Sequence, residues 1–319
     1  MPEELADGSN GPSPKVVASV DETESTTVNK PNDAEPQSKS PVWLTLTLFR
    51  HGQCLNNIIE TTKKYYENEN EDVLTPAGIA QAQELGKKFA KVHFDSVLCS
   101  PLKRAVQTME YLTELIDVVP ALSYLEKAFR FHEQDHGPEY RKLMRKGFWQ
   151  DANRLRMPSY SSSNFRDHKA YRGESLTDVE QRCALNIGLL MIHYAKGIPE
   201  NPEGLDDESR SRDSRICIAK LPGHQKCQPD TLPASIPHVG VVSHNILLTE
   251  MLEALLSWHS ESHITTDLAF RNADWARVVL RWDPSDEKAT ISERSARDIR
   301  VILPGRLDVW FLRAPTGWY

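Results

Sequence analysis

Three short apolar runs, each ending in a cluster of polar residues, constrain the fold of this chain more than any other feature of its sequence. The runs are Trp43–Arg50, Asp95–Cys99 and Val239–Val242, and a segment with helical spacing of apolar residues follows each polar cluster. Short β-branched and apolar runs are typical of buried strands, and strands that alternate with helices indicate a parallel sheet. The sequence therefore predicts an α/β protein, a three-layer α/β/α sandwich with a mostly parallel central sheet.

The predicted helices have clear starting signals. Thr75 is placed as an N-cap with Pro76 at the first helical position, and Ser175 and Asp178 have the spacing of a capping box. The apolar stripe of the first helix consists of Ala82, Leu85, Gly86, Phe89 and Val92. The other elements expected are helices opening at Ser100-Pro101 and spanning Ile246 to about Leu256, and closing strands at Arg277–Trp282 and Leu307–Leu312.

Charge is distributed unevenly along the chain, which has 319 residues and a formal net charge of −7. Residues 1–41 hold eight acidic residues against three lysines, together with six prolines, six serines and no aromatic residue. Such a segment cannot bury enough apolar surface to offset the entropy of ordering it. We therefore expect a disordered acidic tail over 1–41 and one folded domain over 42–319. Residues 197–238 contain six prolines and no apolar periodicity, which predicts an exposed insertion.

The sequence features that report on cellular compartment are targeting signals and cysteine content. No apolar run is long enough to span a membrane, and the first ten residues lack the basic start and apolar core of a secretory signal. The five cysteines are few and odd in number, as expected where thiols stay reduced. We expect a cytoplasmic or nuclear protein with no structural disulfide and no membrane partner.

The three polar clusters lie where the predicted strands end. They are Arg50-His51, the segment from Ser100 to Arg104, and Ser243-His244. Ligands of open α/β sheets bind at the carboxyl edge of the strands. Two arginines, two histidines and helix N-termini that meet there form an anion site, and forked guanidinium donors suit phosphate. The clusters therefore indicate phosphoryl-transfer chemistry.

The motifs around these clusters resemble, in the same order, those of the histidine phosphatase superfamily, the phosphoglycerate-mutase-like proteins. The matching stretches are LFRHGQCLNN (48–57), LTPAGIAQA (74–82), CSPLKRAVQT (99–108), HEQDHG (132–137), RGES (172–175) and VVSHN (241–245). The resemblance spans most of residues 42–282 and implies a phosphoglycerate-mutase-like fold. Within the superfamily, HEQDHG is most similar to the fungal broad-range phosphatases.

The resemblance also implies roles for the residues of the anion site. His51 would be the nucleophile that takes the phosphoryl group on an imidazole nitrogen. Arg50, Arg104 and His244 would hold the phosphoryl oxygens, with Asn57 as a further donor. Because phosphoryl transfer depends mainly on placement and on charge stabilisation by fixed cations, we expect no metal and no cofactor.

Glu133, the acid of an E-x-x-x-G pattern, matches the residue that protonates the leaving group, and Glu126 is the alternative acid. Glu174 and Ser175 either cap the following helix or take part in the site. Two positions depart from the family pattern. Asn245 stands where relatives usually have Gly and would crowd the phosphate pocket, while Gln53 replaces a Glu that many relatives carry beside the nucleophile.

Other chemistries fit the sequence poorly. Cys99 precedes Arg104 by four intervening residues, whereas the cysteine-phosphatase loop requires five, so a thiol nucleophile is not expected. The set Cys217, His224, Cys227 and His238 fits no standard zinc spacing.

Specificity is expected to come from the basic segment 140–172, which has nine Lys/Arg residues against two Asp. It is either a solvated surface or a flap that attracts substrates with more than one anionic group. Three functions remain open: a phosphatase acting on phosphomonoesters through a phosphohistidine, a phosphoglycerate-mutase-type transferase, and a catalytically weak protein that binds phosphorylated ligands. The expected substrate is a phosphorylated small molecule or phosphoprotein; nucleic acid is not expected, because the basic residues lack interleaved aromatics.

Overall fold

The structure, a computed structural model, describes residues 40–58, 72–118, 130–156, 165–198, 202, 205, 227–260, 262–286 and 305–318. The predicted tail over 1–41 and the predicted insertion over 197–238 lie mostly outside these residues, as do Glu126, Cys217 and His224. Among the helices that are described, none has the length and apolar character needed to cross a membrane.

Strands and helices alternate along most of the described chain. The strands are β1 (Val42–Arg50), β2 (His93–Phe94), β3 (Ser96–Cys99), β4 (Asp117–Val118), β5 (Lys196–Gly197), β6 (His238–Ser243), β7 (Leu268–Ala269), β8 (Trp275–Asp283), β9 (Arg306–Arg313) and β10 (Gly317–Trp318). The α-helices are α1 (Pro76–Phe89), α2 (Lys103–Thr113), α3 (Gly137–Arg145), α4 (Trp149–Arg156), α5 (Leu176–Tyr194) and α6 (Asn245–Leu256). Two short 3-10 helices cover Leu55–Asn57 and Phe165–Asp167.

The central sheet brings the three polar clusters to one edge. Its strand order is β3-β6-β1-β8-β9, and β5 pairs with the start of β1. Both β1 and β3 run parallel to β6, and the register pairs Arg50 with Ser243 and Cys99 with Val242. The carboxyl ends of β1, β3 and β6 are therefore level with one another, as the sequence predicts.

The predicted fold class is confirmed, and the sheet is mixed rather than strictly parallel, because β8 is antiparallel to both β1 and β9. The reason lies in the segment before β8, which returns to the carboxyl edge of β1. There the backbone N–H of Ala273 donates to the carbonyl of His51, and the N–H of Arg50 donates to the carbonyl of Asp274. A strand that starts at this edge runs opposite to β1.

The helix starts follow local hydrogen bonding. Thr75 caps α1 by accepting a hydrogen bond from the N–H of Gly78, and Ser175 and Asp178 form the capping box of α5, so both predictions are confirmed. Helix α2 begins at Lys103 rather than at Ser100-Pro101. Its N-cap, Leu102, has an extended backbone and donates its N–H to Ser100 Oγ, so the two preceding residues form a bend.

Helices cover both faces of the sheet and complete three layers. On one face, Leu44, Leu46 and Leu48 of β1 pack with the apolar stripes of α5 and α6. On the other face, Phe49 packs edge-on against Phe89 of α1, with ring centroids 4.9 Å apart. Burial of these side chains drives the assembly of the layers and fixes the carboxyl edge that carries the polar clusters.

Candidate active site

His51 follows β1 directly, and its ring is buried at the carboxyl edge of the sheet. Its Nδ1 lies 2.7 Å from the carbonyl oxygen of Gly52. Because a carbonyl only accepts, Nδ1 carries the proton and Nε2 keeps its lone pair. Burial, and then the charges of Arg104 and Arg50, hold the pKa of His51 well below its ordinary value. The ring is therefore neutral and nucleophilic at neutral pH.

Arg104 supplies a buried positive charge from the first turn of α2. Its Nη1 lies 3.5 Å from Oδ2 of Asp72, a fully buried carboxylate that also accepts a hydrogen bond from the N–H of Asn56. Neither Nη1 of Arg104 nor Oδ2 of Asp72 makes a hydrogen bond within the described residues. Asp72 offsets the charge of Arg104 while leaving donor capacity on its guanidinium for an anion.

Arg50, the last residue of β1, is held by the chain that precedes β8. Its Nη1 donates to the carbonyl oxygen of Phe270. The N–H of Phe270 in turn donates to Oδ1 of Asn245, over 2.7 Å. Asn245 thus directs its side-chain oxygen to this backbone.

His244 is the N-cap of α6 and is completely buried, with its ring centroid 5.1 Å from that of His51. Its Nε2 lies 2.7 Å from Ser100 Oγ, which also accepts the N–H of Leu102. This arrangement favours donation from the Ser100 hydroxyl to Nε2 and leaves the proton of a neutral His244 on Nδ1. Burial, followed by Arg104, His51 and Arg50, holds the pKa of His244 well below its ordinary value.

The Nδ1 atom of His244 is buried and makes no hydrogen bond within the described residues. A buried donor without a partner is costly, and an anion accepting from it would remove that cost. Together with Arg50 and Arg104 it gives the edge of the sheet three donors suited to phosphoryl oxygens.

Glu133 lies between β6 and the N-terminus of α6. Its carboxylate accepts hydrogen bonds from the N–H groups of Gln134, Ile246 and Leu247, at 3.1, 3.5 and 3.2 Å. The second and third of these donors belong to the first turn of the helix that His244 caps. The alternative acid, Glu126, lies outside the described residues.

Asn57 lies at the exposed rim of the site. Its Oδ1 accepts from the N–H of Cys54 and from Nδ2 of Asn272, at 3.1 and 2.9 Å. The same Nδ2 of Asn272 donates to the carbonyl of His51 over 3.3 Å. The side-chain oxygen of Asn57 therefore holds the turn after His51, and its NH₂ group is the part left for a ligand.

The loop after His51 is fixed by close backbone packing against α1. A Cβ on Gly52 would lie 2.5 Å from the carbonyl oxygen of Gly78, and a Cβ on Gly78 would lie 1.9 Å from that of Gln53. Thr108 of α2 accepts the N–H of Gly52 over 3.0 Å and donates to the carbonyl of Arg104 over 2.7 Å. The glycines of the motifs at 48–57 and 74–82 are thus required by close approach.

The structure brings His51, Arg50, Arg104, His244 and Glu133 to one edge, with Asn57 at the rim. Sequence reasoning missed the residues that hold them: Asp72, Thr108, Phe270, Asn272 and Arg182. Thr108 lies within a motif that was singled out, CSPLKRAVQT, but the others carry no local signal. Their roles depend on contacts between distant parts of the chain.

A second group of ionisable side chains lies between α5 and α6, where ligand atoms of Glu180, Glu250 and His263 lie within 4.8 Å of one another. Arg166 also contacts this group: its Nη1 and Nη2 donate to Oε1 and Oε2 of Glu250, over 3.1 and 2.5 Å. Burial and the neighbouring Glu253 raise the pKa of Glu250 to about 7, against the effect of Arg166. The guanidinium supplies the positive charge that a metal would otherwise provide.

Four of the five cysteines lie in the part of the chain that the structure describes. Cys54, Cys99, Cys183 and Cys227 are free thiols, and burial raises the pKa of Cys54 to about 12. Of the four residues whose spacing does not fit a zinc site, Cys227 and His238 are described, and both have other partners. Cys227 lies 3.8 Å from Nη1 of Arg277, and Nε2 of His238 lies 2.7 Å from Oγ1 of Thr47.

The sequence of this region matches a known family. Residues 46–196 match the family model of the histidine phosphatase superfamily, branch 1. The match includes Arg50, His51, Arg104 and Glu133, and His244 lies beyond it. Over these residues the chain is similar to the histidine phosphatase superfamily.

The solved structures to which this chain is similar include three bacterial proteins. A mycobacterial hydrolase is 18% identical, covering 83% of this chain and 97% of its own, with a TM-score of 0.46. A mycobacterial glucosyl-3-phosphoglycerate phosphatase is 19% identical, covering 84% and 98%, with a TM-score of 0.44. The alpha-ribazole phosphatase of Shigella flexneri is 20% identical, covering 73% and 90%, with a TM-score of 0.41.

Proposed function

We propose that this protein hydrolyses phosphomonoesters through a phosphohistidine formed on Nε2 of His51. The observation that carries the proposal is the hydrogen bond from Nδ1 of His51 to the carbonyl of Gly52, 2.7 Å long. It fixes the tautomer whose Nε2 lone pair attacks phosphorus, and burial beside two arginines keeps the ring unprotonated.

The cations around His51 match the charge of a phosphoryl group in transfer. Arg50 and Arg104 bring fixed positive charge, and Nδ1 of His244 is a buried donor in need of an acceptor. Such groups stabilise the transition state because they are already oriented before the reaction starts. The proposed reaction uses no metal, so activity is expected to persist in the presence of a chelator.

Glu133 is proposed as the proton donor. In the first step the P–Nε2 bond forms, the P–O bond to the leaving group breaks, and the Glu133 carboxyl gives its proton to the departing oxygen. In the second step water attacks phosphorus, its proton passes to the Glu133 carboxylate, and the P–Nε2 bond breaks to release phosphate. What supports this assignment is proximity: the Glu133 carboxylate accepts from the N–H of Leu247, in the first turn of the helix that His244 caps.

A substrate labelled in its phosphoryl group tests the proposal. Brief incubation followed by an alkaline quench should leave label on the protein that resists alkali and is released by acid. His51→Ala should carry no label, whereas His193→Ala, which removes an exposed histidine of α5, should be labelled like the wild type. Label on His51→Ala, or no label and no turnover with a broad panel of phosphomonoesters, would contradict the proposal.

The fate of the phosphoryl group separates a phosphatase from a mutase-type transferase. A phosphatase releases inorganic phosphate in proportion to the alcohol formed, while a transferase returns the group to a bound acid. We propose the phosphatase, with broad substrate range, and the likeness of HEQDHG to fungal broad-range phosphatases supports that choice. Asn245 is the departure that keeps the binding-protein alternative open, and its side-chain oxygen accepts from the backbone N–H of Phe270.

A further inference from the structure

The segment that carries Glu133 has no regular secondary structure, yet its backbone is held at almost every residue. The carbonyl oxygens of Arg130 and His132 both accept from Nη1 of Arg182, at 2.7 and 2.8 Å. The carbonyl between them, that of Phe131, accepts from Ser243 Oγ over 2.6 Å. We name residues 130–135 the acid loop; side chains from α5 and the end of β6 fix its first half.

The second half of the acid loop is fixed by Glu174. Its Oε2 accepts the N–H of Asp135 over 3.0 Å, and its backbone N–H donates to the carbonyl of Asp135 over 2.6 Å. Its own carbonyl accepts from the side-chain amide of Gln134 over 2.9 Å. Three contacts from one residue thus hold the two positions that follow Glu133.

Glu174 and Arg182 are joined into one unit. Nε of Arg182 donates to Oε1 of Glu174 over 3.0 Å, and Nη2 donates to Oε2 over 2.9 Å. This two-bond geometry is specific to a guanidinium, and it leaves Nη1 aimed at the acid loop. Burial works against ionisation of Glu174, but His132, Arg182 and the N–H of Asp135 lower its pKa to about 2. The pair is therefore charged at any pH at which the enzyme would work.

We propose that the Glu174–Arg182 pair is a positioning device that sets the place of Glu133 relative to His51. It rests on the proposed function, in which Glu133 protonates the leaving oxygen. Neither member gives or takes a proton; the pair holds the backbone on both sides of Glu133. Ser175 caps α5, so of the two residues with an open role, Glu174 serves the site and Ser175 the helix.

A misplaced acid has a recognisable kinetic signature. Protonation matters when the leaving group is a poor one, such as an alkyl alcohol, and hardly matters for a nitrophenol, which departs as a stable anion. A variant with a displaced acid loop should therefore lose activity on alkyl phosphates and keep it on p-nitrophenyl phosphate. General unfolding or loss of His51 would instead reduce both activities equally.

The test measures kcat/KM across a series of alkyl and aryl phosphates for Arg182→Lys and Glu174→Gln. Arg182→Lys keeps the positive charge but loses the forked pair of donors, and Glu174→Gln keeps the shape of the side chain but loses its negative charge. General acid catalysis contributes ~10²–10⁴ in rate, so a partly displaced acid should cost about 10- to 100-fold on alkyl phosphates. Loss on p-nitrophenyl phosphate should stay within about threefold.

Two controls make the result decisive. Asp178→Asn weakens the capping box of the same helix without touching the acid loop, so it should lower stability and leave the leaving-group dependence unchanged. In a Glu133→Gln background, Arg182→Lys should cause little further loss on alkyl phosphates, since both changes act through one group. Equal losses on all substrates, no loss on any, or full additivity with Glu133→Gln would overturn the positioning role. Failure of the wild type to form a phosphohistidine would instead overturn the proposed function.

Discussion

The side-chain Oδ1 of Asn245 accepts a hydrogen bond from the backbone N–H of Phe270, over 2.7 Å. The backbone carbonyl of Phe270 accepts from Nη1 of Arg50. The backbone of Phe270 therefore connects Asn245, which follows His244, to Arg50, which precedes His51. Asn245 therefore supports the position of Arg50 through the backbone of Phe270.

Asn245→Ala removes the acceptor for Phe270 and should loosen the hold on Arg50. The hydrogen bond contributes about 1 kcal/mol, so we expect KM for a phosphomonoester to rise by roughly three- to tenfold with a smaller change in kcat. Steady-state kinetics with melting curves test this. Asn245→Gly should behave in the same way, and an unchanged KM in both variants would show that the side chain does not support Arg50.

The close approach of α1 to the loop after His51 makes Gly78 intolerant of any side chain. A Cβ there would lie 1.9 Å from the carbonyl oxygen of Gln53, so Gly78→Ala must displace backbone. Overpacking of this kind costs ~1–3 kcal/mol of unfolding free energy, and we expect activity to fall as well because the loop shifts. Urea unfolding and turnover measure both effects.

Gly197→Ala is the matched control for that experiment. The nearest atom to a Cβ at Gly197 is the carbonyl oxygen of Pro41, 4.0 Å away, which is ordinary contact. This variant should keep wild-type stability within about 0.5 kcal/mol. Equal free energies of unfolding for Gly78→Ala and Gly197→Ala would show that the backbone contact between α1 and the loop after His51 can shift without destabilising the fold.

Stability should fall in mild acid because the buried histidines resist protonation. Burial, with nearby arginines, holds the pKa values of His51, His238 and His244 well below the ordinary value. As pH falls through the unfolded value of about 6.5, the unfolded chain takes up protons that the folded chain refuses. The free energy of unfolding therefore decreases as pH falls from that value toward the pKa values of the histidines in the folded protein.

Each such histidine adds a slope of about 1.4 kcal/mol per pH unit in this window. Urea unfolding at several pH values should show a shallower dependence for His51→Asn than for the wild type. His193→Asn, which changes an exposed histidine, should leave the slope as it is. The same slope in His51→Asn and the wild type would mean that His51 accepts a proton in the folded state.

The basic segment 140–172 has fewer available charges than its composition implies. Arg141 is paired with Asp135, Arg166 with Glu250 and Lys169 with Asp178, partners that a count within the segment leaves out. A reversal of Lys142 and Lys146 tests the flap without disturbing these three pairs; it removes only the exposed pair of Lys142 with Glu139, whose charged atoms lie 3.7 Å apart. Lys142→Glu/Lys146→Glu should raise KM for bisphosphates about threefold or more and hardly affect p-nitrophenyl phosphate.

The same charge change made on α1 controls for net charge. Lys87 and Lys88 are exposed there, and Lys87→Glu/Lys88→Glu should leave KM for both substrate types nearly unchanged. Equal shifts from the two double variants would indicate a general field effect, and no shift from the first would mark segment 140–172 as a solvated surface.

Local sequence determined the elements and the polar groups that follow the strands. The strand pattern of β1, the Thr75 cap of α1 and the capping box at Ser175 act over a few residues, so they were predictable. Because each polar cluster directly follows a strand, parallel pairing was enough to bring Arg50, His51 and His244 together. The mixed sheet was not predictable, since nothing local shows that the chain returns to the carboxyl edge before β8.

Tertiary structure alone decided how the reacting groups are held. Asp72 beside Arg104, Phe270 between Arg50 and Asn245, and the Glu174–Arg182 pair on the acid loop join residues that are far apart in the chain. Burial also sets the protonation of His51, whose pKa depends on exclusion of water and on charges from other elements. Sequence supplies the imidazole, and packing makes it neutral and fixes the nitrogen that is free to react.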